Sequence, residues 1–140
     1  LFKDKIITSS PEETKKLGEK IARDFYPGLV VALFGPLGSG KTCLSQGICS
    51  GLGVKDFVVS PSFVLINEYQ GKYKVYHIDL FRLEKLSEII NLGYEEYFYG
   101  EGVCIVEWAE KASALLPEKR INIHLKILSE NEREIRIEKK

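Results

Sequence analysis

The chain carries no surplus charge of either sign: 20 Lys+Arg stand against 20 Asp+Glu. A protein that itself grips a nucleic acid needs basic groups to neutralise phosphates. The balance therefore argues against a principal nucleic-acid binder, though not against a role beside one. Long hydrophobic runs are missing too. Stretches such as Leu29–Phe34 are far too short to span a bilayer, and no signal-peptide pattern opens the chain, so a cytoplasmic protein without a membrane partner is expected. Methionine is absent, with Leu1 in first place, a pattern expected of an unusual start or a lost residue. The three cysteines, Cys43, Cys49 and Cys104, form no C-x-x-C pair. Cys43 and Cys49 fall on one expected helix about 9 Å apart, too far for a disulfide, so reduced, buried thiols are expected. The arginines are scattered at 23, 82, 120, 133 and 136, without the clustered lid by which a small-molecule kinase clamps two phosphate groups. N-K-x-D and D-x-x-G are also missing, which argues against a standard GTPase.

What is present has a clear centre. At 140 residues, 44% hydrophobic and 29% charged, the chain fits a single domain over 1–140. The apolar run Leu29–Phe34 leads directly into Gly35-Pro-Leu-Gly-Ser-Gly-Lys41-Thr42, a G-x-x-x-x-G-K-T spacing. A strand entering a glycine-rich loop that opens a helix is the context in which this spacing cradles phosphate. The candidate nucleotide-binding residues are Gly35, Pro36, Leu37, Gly38, Ser39, Gly40, Lys41, Thr42 and Cys43. Lys41, also a catalytic candidate, can reach β- and γ-phosphate oxygens; Thr42 offers a hydroxyl to Mg²⁺; and the new helix adds its positive N-terminus. A glycine-rich turn with a surface lysine is the bland alternative.

Around this centre, residues 4–8 read as a short strand. Ser10-Pro-Glu-Glu13 supplies an N-cap, a proline at N1 and a glutamate at N3, which is a capping box. Leu17, Ile21 and Phe25 then recur every four residues as one apolar helical face. Lys16, Lys20 and Arg23 form a basic stripe on that helix, either a face toward a partner or, the favoured reading, a solvated helix face. The helix opened by Lys41 turns Leu44 and Ile48 inward, and Gly47 and Gly51 would let it lie close to the sheet. Phe63–Tyr69 and Tyr73–Ile78 form a hairpin around Gly71. Leu83–Leu92 reads as a helix stopped by Gly93, and Val103–Val106 as a strand buried on both faces. A short helix follows, then two alternating strands, one at 121–127 and one containing Ile135 and Ile137. The predicted fold is α/β: three-layer and P-loop NTPase-like, with a mixed, mainly parallel central sheet and antiparallel hairpin additions.

A triphosphate site needs a carboxylate for the metal shell and a group that positions the nucleophile. Glu107 ends the Val103–Val106 run in the form of a Walker-B strand, and with Thr42 is the candidate Mg²⁺ ligand, directly or through water. Asp79 ends Tyr76-His-Ile-Asp79 and is the candidate to orient the attacking water or support the metal shell; a helix N-cap for Leu80 onward is its other reading. His77, two residues away, reads as structural or hydrogen-bonded, since no further His or Cys has metal-ligand spacing. Ser60-Pro-Ser62 either answers the γ-phosphate as a switch or forms a plain turn. Trp108 suits an apolar anchor and a stacking surface equally. ATP hydrolysis or ATP-dependent switching is favoured. A small-molecule kinase, or a nucleotide-gated binding module with incidental hydrolysis, are the alternatives.

Four pieces occur in order: Gly35 to Thr42, Ser60-Pro-Ser-Phe63, His77-Ile-Asp-Leu-Phe-Arg-Leu83 and Val106-Glu-Trp-Ala-Glu110. With them, the chain resembles the TsaE (YjeE-like) family over nearly its whole length. The phosphate loop alone is unspecific; H-x-D-x-x-R-L and E-W-A-E together make the match specific. The resemblance implies a small ATPase of bacterial tRNA threonylcarbamoyladenosine (t6A) synthesis, using ATP and Mg²⁺. It implies work with the TsaD–TsaB complex, and contact with tRNA only through that complex. It places Mg²⁺ on Thr42 and Glu107 and the need for hydrolysis on Asp79. Ser60 and Ser62 stand in the family's S-P-T segment, keeping the hydroxyl and losing a methyl group, and Cys43 replaces a common threonine. The adenine pocket of relatives draws on positions near the N-terminal helix and the last hairpin. Weak hydrolysis alone, raised on association, is the activity implied.

Overall fold

The computed structural model describes residues 2–61 and 65–140. Strand β1 (Phe2–Thr8) precedes helix α1 (Pro11–Ile21), strand β2 (Val30–Phe34) and helix α2 (Lys41–Gly51). The hairpin β3 (Ile66–Gln70) and β4 (Lys74–Asp79) follows, then short helices α3 (Leu86–Asn91) and α4 (Tyr94–Phe98), strand β5 (Val103–Glu107), and the hairpin β6 (Ile121–Ile127) and β7 (Arg133–Lys139). These strands form one sheet in the order β1-β7-β6-β2-β5-β4-β3. Its centre, β6-β2-β5-β4, is parallel; β3 and β7 pair antiparallel with their neighbours. The sheet is thus mixed and mainly parallel at its heart, with hairpins at both flanks, as the alternation of elements predicts.

β2 and β5 are covered on both faces, which is why they are unbroken apolar runs. Val31, Leu33 and Ile105 share one core with Leu44 of α2 and Leu17 of α1. Val30, Ala32 and Val106 share the other with Ile89 of α3 and Phe98 of α4. Burying each large aliphatic side chain contributes roughly 1.5–3 kcal/mol.

Local details depart from expectation for identifiable reasons. Ser10 caps α1 as predicted, its Oγ accepting from the Glu13 amide (3.1 Å), but the Glu13 carboxylate reaches back to the Ser9 amide (2.8 Å), one residue before the reciprocal position. A 3₁₀ turn over Ala22–Asp24 ends the helical run, so Phe25 arrives in extended backbone and is buried from there. Lys16, Lys20 and Arg23 are exposed, as a solvated face should be. Gly47 and Gly51 face α1, not the sheet: a Cβ at Gly47 would lie 2.1 Å from the Lys15 carbonyl oxygen, and one at Gly51 2.7 Å from that of Glu19. α3 starts at Leu86, not Leu83, because the Glu88 carboxylate accepts the amides of Glu84 (3.2 Å) and Lys85 (3.0 Å) while Lys85 stays extended. The expected start of the β3 strand at Phe63 lies outside the described residues. No helix among the described residues is long and apolar enough to cross a membrane.

Candidate functional site

Strands β2, β5 and β4 end side by side, with Glu107 in register with Leu33 on one side and Asp79 on the other. Both acids and the glycine loop therefore leave the sheet at the carboxyl edge of its parallel strands, where open α/β sheets bind ligands. In the loop, Gly38 and Gly40 have φ of +80° and +100°, and a Cβ at Gly35 would lie 2.6 Å from Ser39 Oγ. Those positions need glycine for angle and for room respectively. The first intrahelical bond of α2 runs from the Leu44 amide to the Gly40 carbonyl (2.8 Å). The amides of Lys41, Thr42 and Cys43 consequently have no intrahelical acceptor and form the positive end of the helix.

Lys41 lies inside this cradle, only 5% exposed. Its Nζ donates to the carbonyls of Gly35 and Pro36 and sits 3.7 Å from the centre of the Trp108 ring. Burial lowers its pKa from the ordinary lysine value, against the opposing pull of Glu107, Glu110 and Asp79. Trp108 adopts φ +59°, a left-handed angle that is costly for a bulky residue. That bend, directly after Glu107, goes with an indole that touches Phe81 at 5.0 Å between ring centres and carries the ammonium of Lys41 on its ring.

Glu107 is 2% exposed and fully engaged. Its Oε1 accepts from Thr42 Oγ1 (3.0 Å), its Oε2 from His77 Nε2 (2.5 Å), and Ser45 Oγ lies 3.4 Å from Oε2. It is not a plain strand-end acid. Asp79 accepts Ser60 Oγ on Oδ2 (3.0 Å) and the Phe81 amide on Oδ1 (2.9 Å). The second of these caps the turn after β4, but no helix begins there. Ser60 therefore joins the site through Asp79, while Ser62 lies outside the described residues. Cys43 shares the cleft and hydrogen-bonds the Pro11 carbonyl at 3.1 Å.

A cleft of about 490 Å³ runs over the loop, with Lys41, Thr42, Asp79, Glu107 and Trp108 in its wall and Arg82 and the exposed Leu37 and Phe81 at its margin. Beside it a smaller cavity of about 160 Å³ opens between Ser10 and Pro11 on one side and Glu130, Asn131 and Arg133 on the other, with Gly40 at its edge. Apart from Gly40, sequence reasoning named none of these residues for a ligand, nor Ser45. The only available signal for Ser45 was its position three residues after Thr42, on the same helical face. A third cavity, of about 340 Å³, lies against α1 and includes Leu17, Phe25, Lys20 and Ile121; no residue of the glycine loop reaches it.

The arrangement belongs to the P-loop class of nucleotide-binding proteins: an anion cradle built from glycine backbone and a helix end, with a lysine inside it. Residues 8–135 match the family described as threonylcarbamoyl adenosine biosynthesis protein TsaE, and the chain belongs to that family. It is 45% identical over 129 residues to the tRNA threonylcarbamoyladenosine biosynthesis protein TsaE of Bacillus subtilis, covering 91% of this chain and 80% of that one. To the Treponema pallidum protein of the same name it is 37% identical over 131 residues, covering 94% and 97%. The crystal structure of Bacillus subtilis YdiB superposes with a TM-score of 0.84 at 39% identity, over 97% of this chain and 84% of that one.

Proposed function

We propose that this chain is a Mg²⁺-dependent ATPase of cytoplasmic tRNA t6A modification, weak alone and stimulated by the TsaD–TsaB complex, with tRNA met only through that complex. The observation carrying the reading is the Thr42–Glu107 pair at the mouth of the glycine cradle. Its two oxygens stand 3.0 Å apart, close to the roughly 2.9 Å edge between neighbouring ligands of an octahedron with Mg–O arms of 2.0–2.1 Å. Among the described residues no three His, Cys, Asp or Glu side chains cluster as a metal cage. That suits Mg²⁺, which keeps waters and takes substrate phosphates beside one or two carboxylates. Bound there, the ion would neutralise charge on the β- and γ-phosphate oxygens.

The chain's own residues divide the remaining work. Free amides at the start of α2 receive the phosphates. Lys41 leaves the carbonyls of its own loop for phosphate oxygens, exchanging partial negative charges for full ones. Asp79 orients the attacking water, and its bond to Ser60 links that water to the Ser60-Pro-Ser62 segment. The cavity between α1 and the β6–β7 turn takes the adenosine. Radiolabelled γ-phosphate tests the whole reading. Incubation with TsaD–TsaB and tRNA should release orthophosphate faster than the chain alone and sustain t6A synthesis over many turnovers. Label carried onto a metabolite would make the chain a kinase. Undiminished multi-turnover modification with a hydrolysis-dead, ATP-binding variant would make it a nucleotide-gated binding module.

A further inference from the structure

Arg133, the first residue of β7, is bonded on two sides. Its Nη1 donates to the carbonyls of Ser129 (2.8 Å), Glu130 (3.2 Å) and Glu132 (3.0 Å), gathering the β6–β7 turn around one nitrogen. Its Nη2 donates to the carbonyl of Gly38 in the phosphate loop (3.1 Å), 95 residues away in sequence. The turn is itself closed, with Leu128 N–H on the Glu132 carbonyl (3.0 Å) and Ser129 and Glu132 capping each other. The guanidinium therefore ties a small, self-bonded unit to the loop.

The place it grips is the one where the loop needs a constraint. Gly38 has φ +80° and nothing within 4 Å of where its Cβ would be, so neither sterics nor packing fixes the peptide that follows. That peptide is held from its two ends. Arg133 donates to its carbonyl, and its N–H, on Ser39, donates to the Pro36 carbonyl (3.1 Å). Release of the first bond would leave the Gly38–Ser39 plane held only through its N–H, and so loosen the direction of the amides that follow.

We propose that Arg133 is a positioning residue for the anion cradle: it acts through the Gly38 carbonyl and joins the turn that walls the neighbouring cavity to the loop that receives the phosphates. This rests on the nucleotide reading of the site. Its consequence is that Arg133 matters to a ligand with no nucleoside at all. A guanidinium that merely touched the base or ribose would not.

The test compares ATP with inorganic triphosphate, by calorimetry, on the wild type, Arg133→Met and Arg133→Lys. Arg133→Met is expected to weaken both ligands by similar factors, about tenfold, and to raise KM for ATP more than it lowers kcat. Arg133→Lys keeps the charge but loses the planar fork, so it too should lose affinity for triphosphate, by roughly threefold or more. Amide hydrogen exchange of Ser39 to Lys41 should quicken in both variants while the unfolding midpoint of Arg133→Lys stays near wild type. The inference fails if Arg133→Met binds triphosphate as the wild type does, or if Arg133→Lys is wild-type for triphosphate, which would leave charge alone as the cause. Should Arg133→Met not fold, Arg133→Lys decides the matter. A wild type that bound neither ligand would overturn the nucleotide reading itself.

Discussion

His77 Nε2 and Glu107 Oε2 lie 2.5 Å apart in the interior, on the adjacent strands β4 and β5, with His77 wholly buried. His77 Nδ1 has no hydrogen-bond partner among the described residues. A bare ring acceptor is cheaper to leave unpaired than a donor, so the hydrogen sits on Nε2 and points at the carboxylate. The bond holds Oε2 inward and leaves Oε1 beside Thr42. Removing the ring in His77→Ala should cost about 1–3 kcal/mol in urea unfolding, because a buried carboxylate loses its nearest donor. His77→Gln, which can still offer an N–H, should recover part of that loss. Equal stability of the two variants would show that the bond contributes nothing.

Asp79 and Glu107 are expected to separate binding from turnover. Asp79→Ala and Glu107→Ala should retain much of the ATP affinity while phosphate release falls by roughly 10²-fold or more. Lys41→Ala should abolish binding. Either acid variant turning over at the wild-type rate would remove that residue from the mechanism.

The lowered pKa of Lys41 gives affinity a definite slope with pH. Nucleotide anions favour the protonated amine, so binding takes up protons where the free site has lost them. Affinity should fall as pH rises through the alkaline range, beginning below the ordinary lysine value of 10.5. Stability without nucleotide runs the other way. Between the lowered folded value and the unfolded one the unfolded chain holds more protons, so stability rises with pH there. Proton uptake measured calorimetrically in buffers of different ionisation enthalpy checks the first sign, and urea midpoints across the same range check the second. Lys41→Met should flatten the second.

Two glycines should fail differently. Gly47→Ala forces a methyl into the backbone of α1 and should lower stability by about 2 kcal/mol or more. Gly38→Ala meets no atom and pays only for its left-handed angle, about 1–2 kcal/mol. Thermal unfolding of both variants distinguishes collision from conformational strain. Equal losses would mean that the helix contact is looser than described.

Much of the architecture was legible because it follows from neighbours along the chain. The apolar face of α1 over Leu17 and Ile21, the cap at Ser10 and the double-sided apolar run of β5 are local statements, and each holds. The reach of a helix or strand end was less legible, since it is settled by single side chains: Glu88 delays α3, and a 3₁₀ turn releases Phe25 from α1. Glycine spacing on α2 was visible, but its direction was not, because a face cannot be assigned until a second helix lies against it.

The amino-acid order alone determined that residues 35–42 carry a glycine-rich loop from a buried strand into a helix, and that Glu107 and Asp79 end strands. These are matters of backbone angle and hydrophobic period, decided within a few residues. Only tertiary structure placed β5 between β2 and β4, which brings Glu107 onto Thr42 across 65 residues and His77 onto Glu107. It also brought Arg133 from the far hairpin to the Gly38 carbonyl. Strand order is chosen by which apolar faces can be buried together, a property of the whole chain that no local stretch contains.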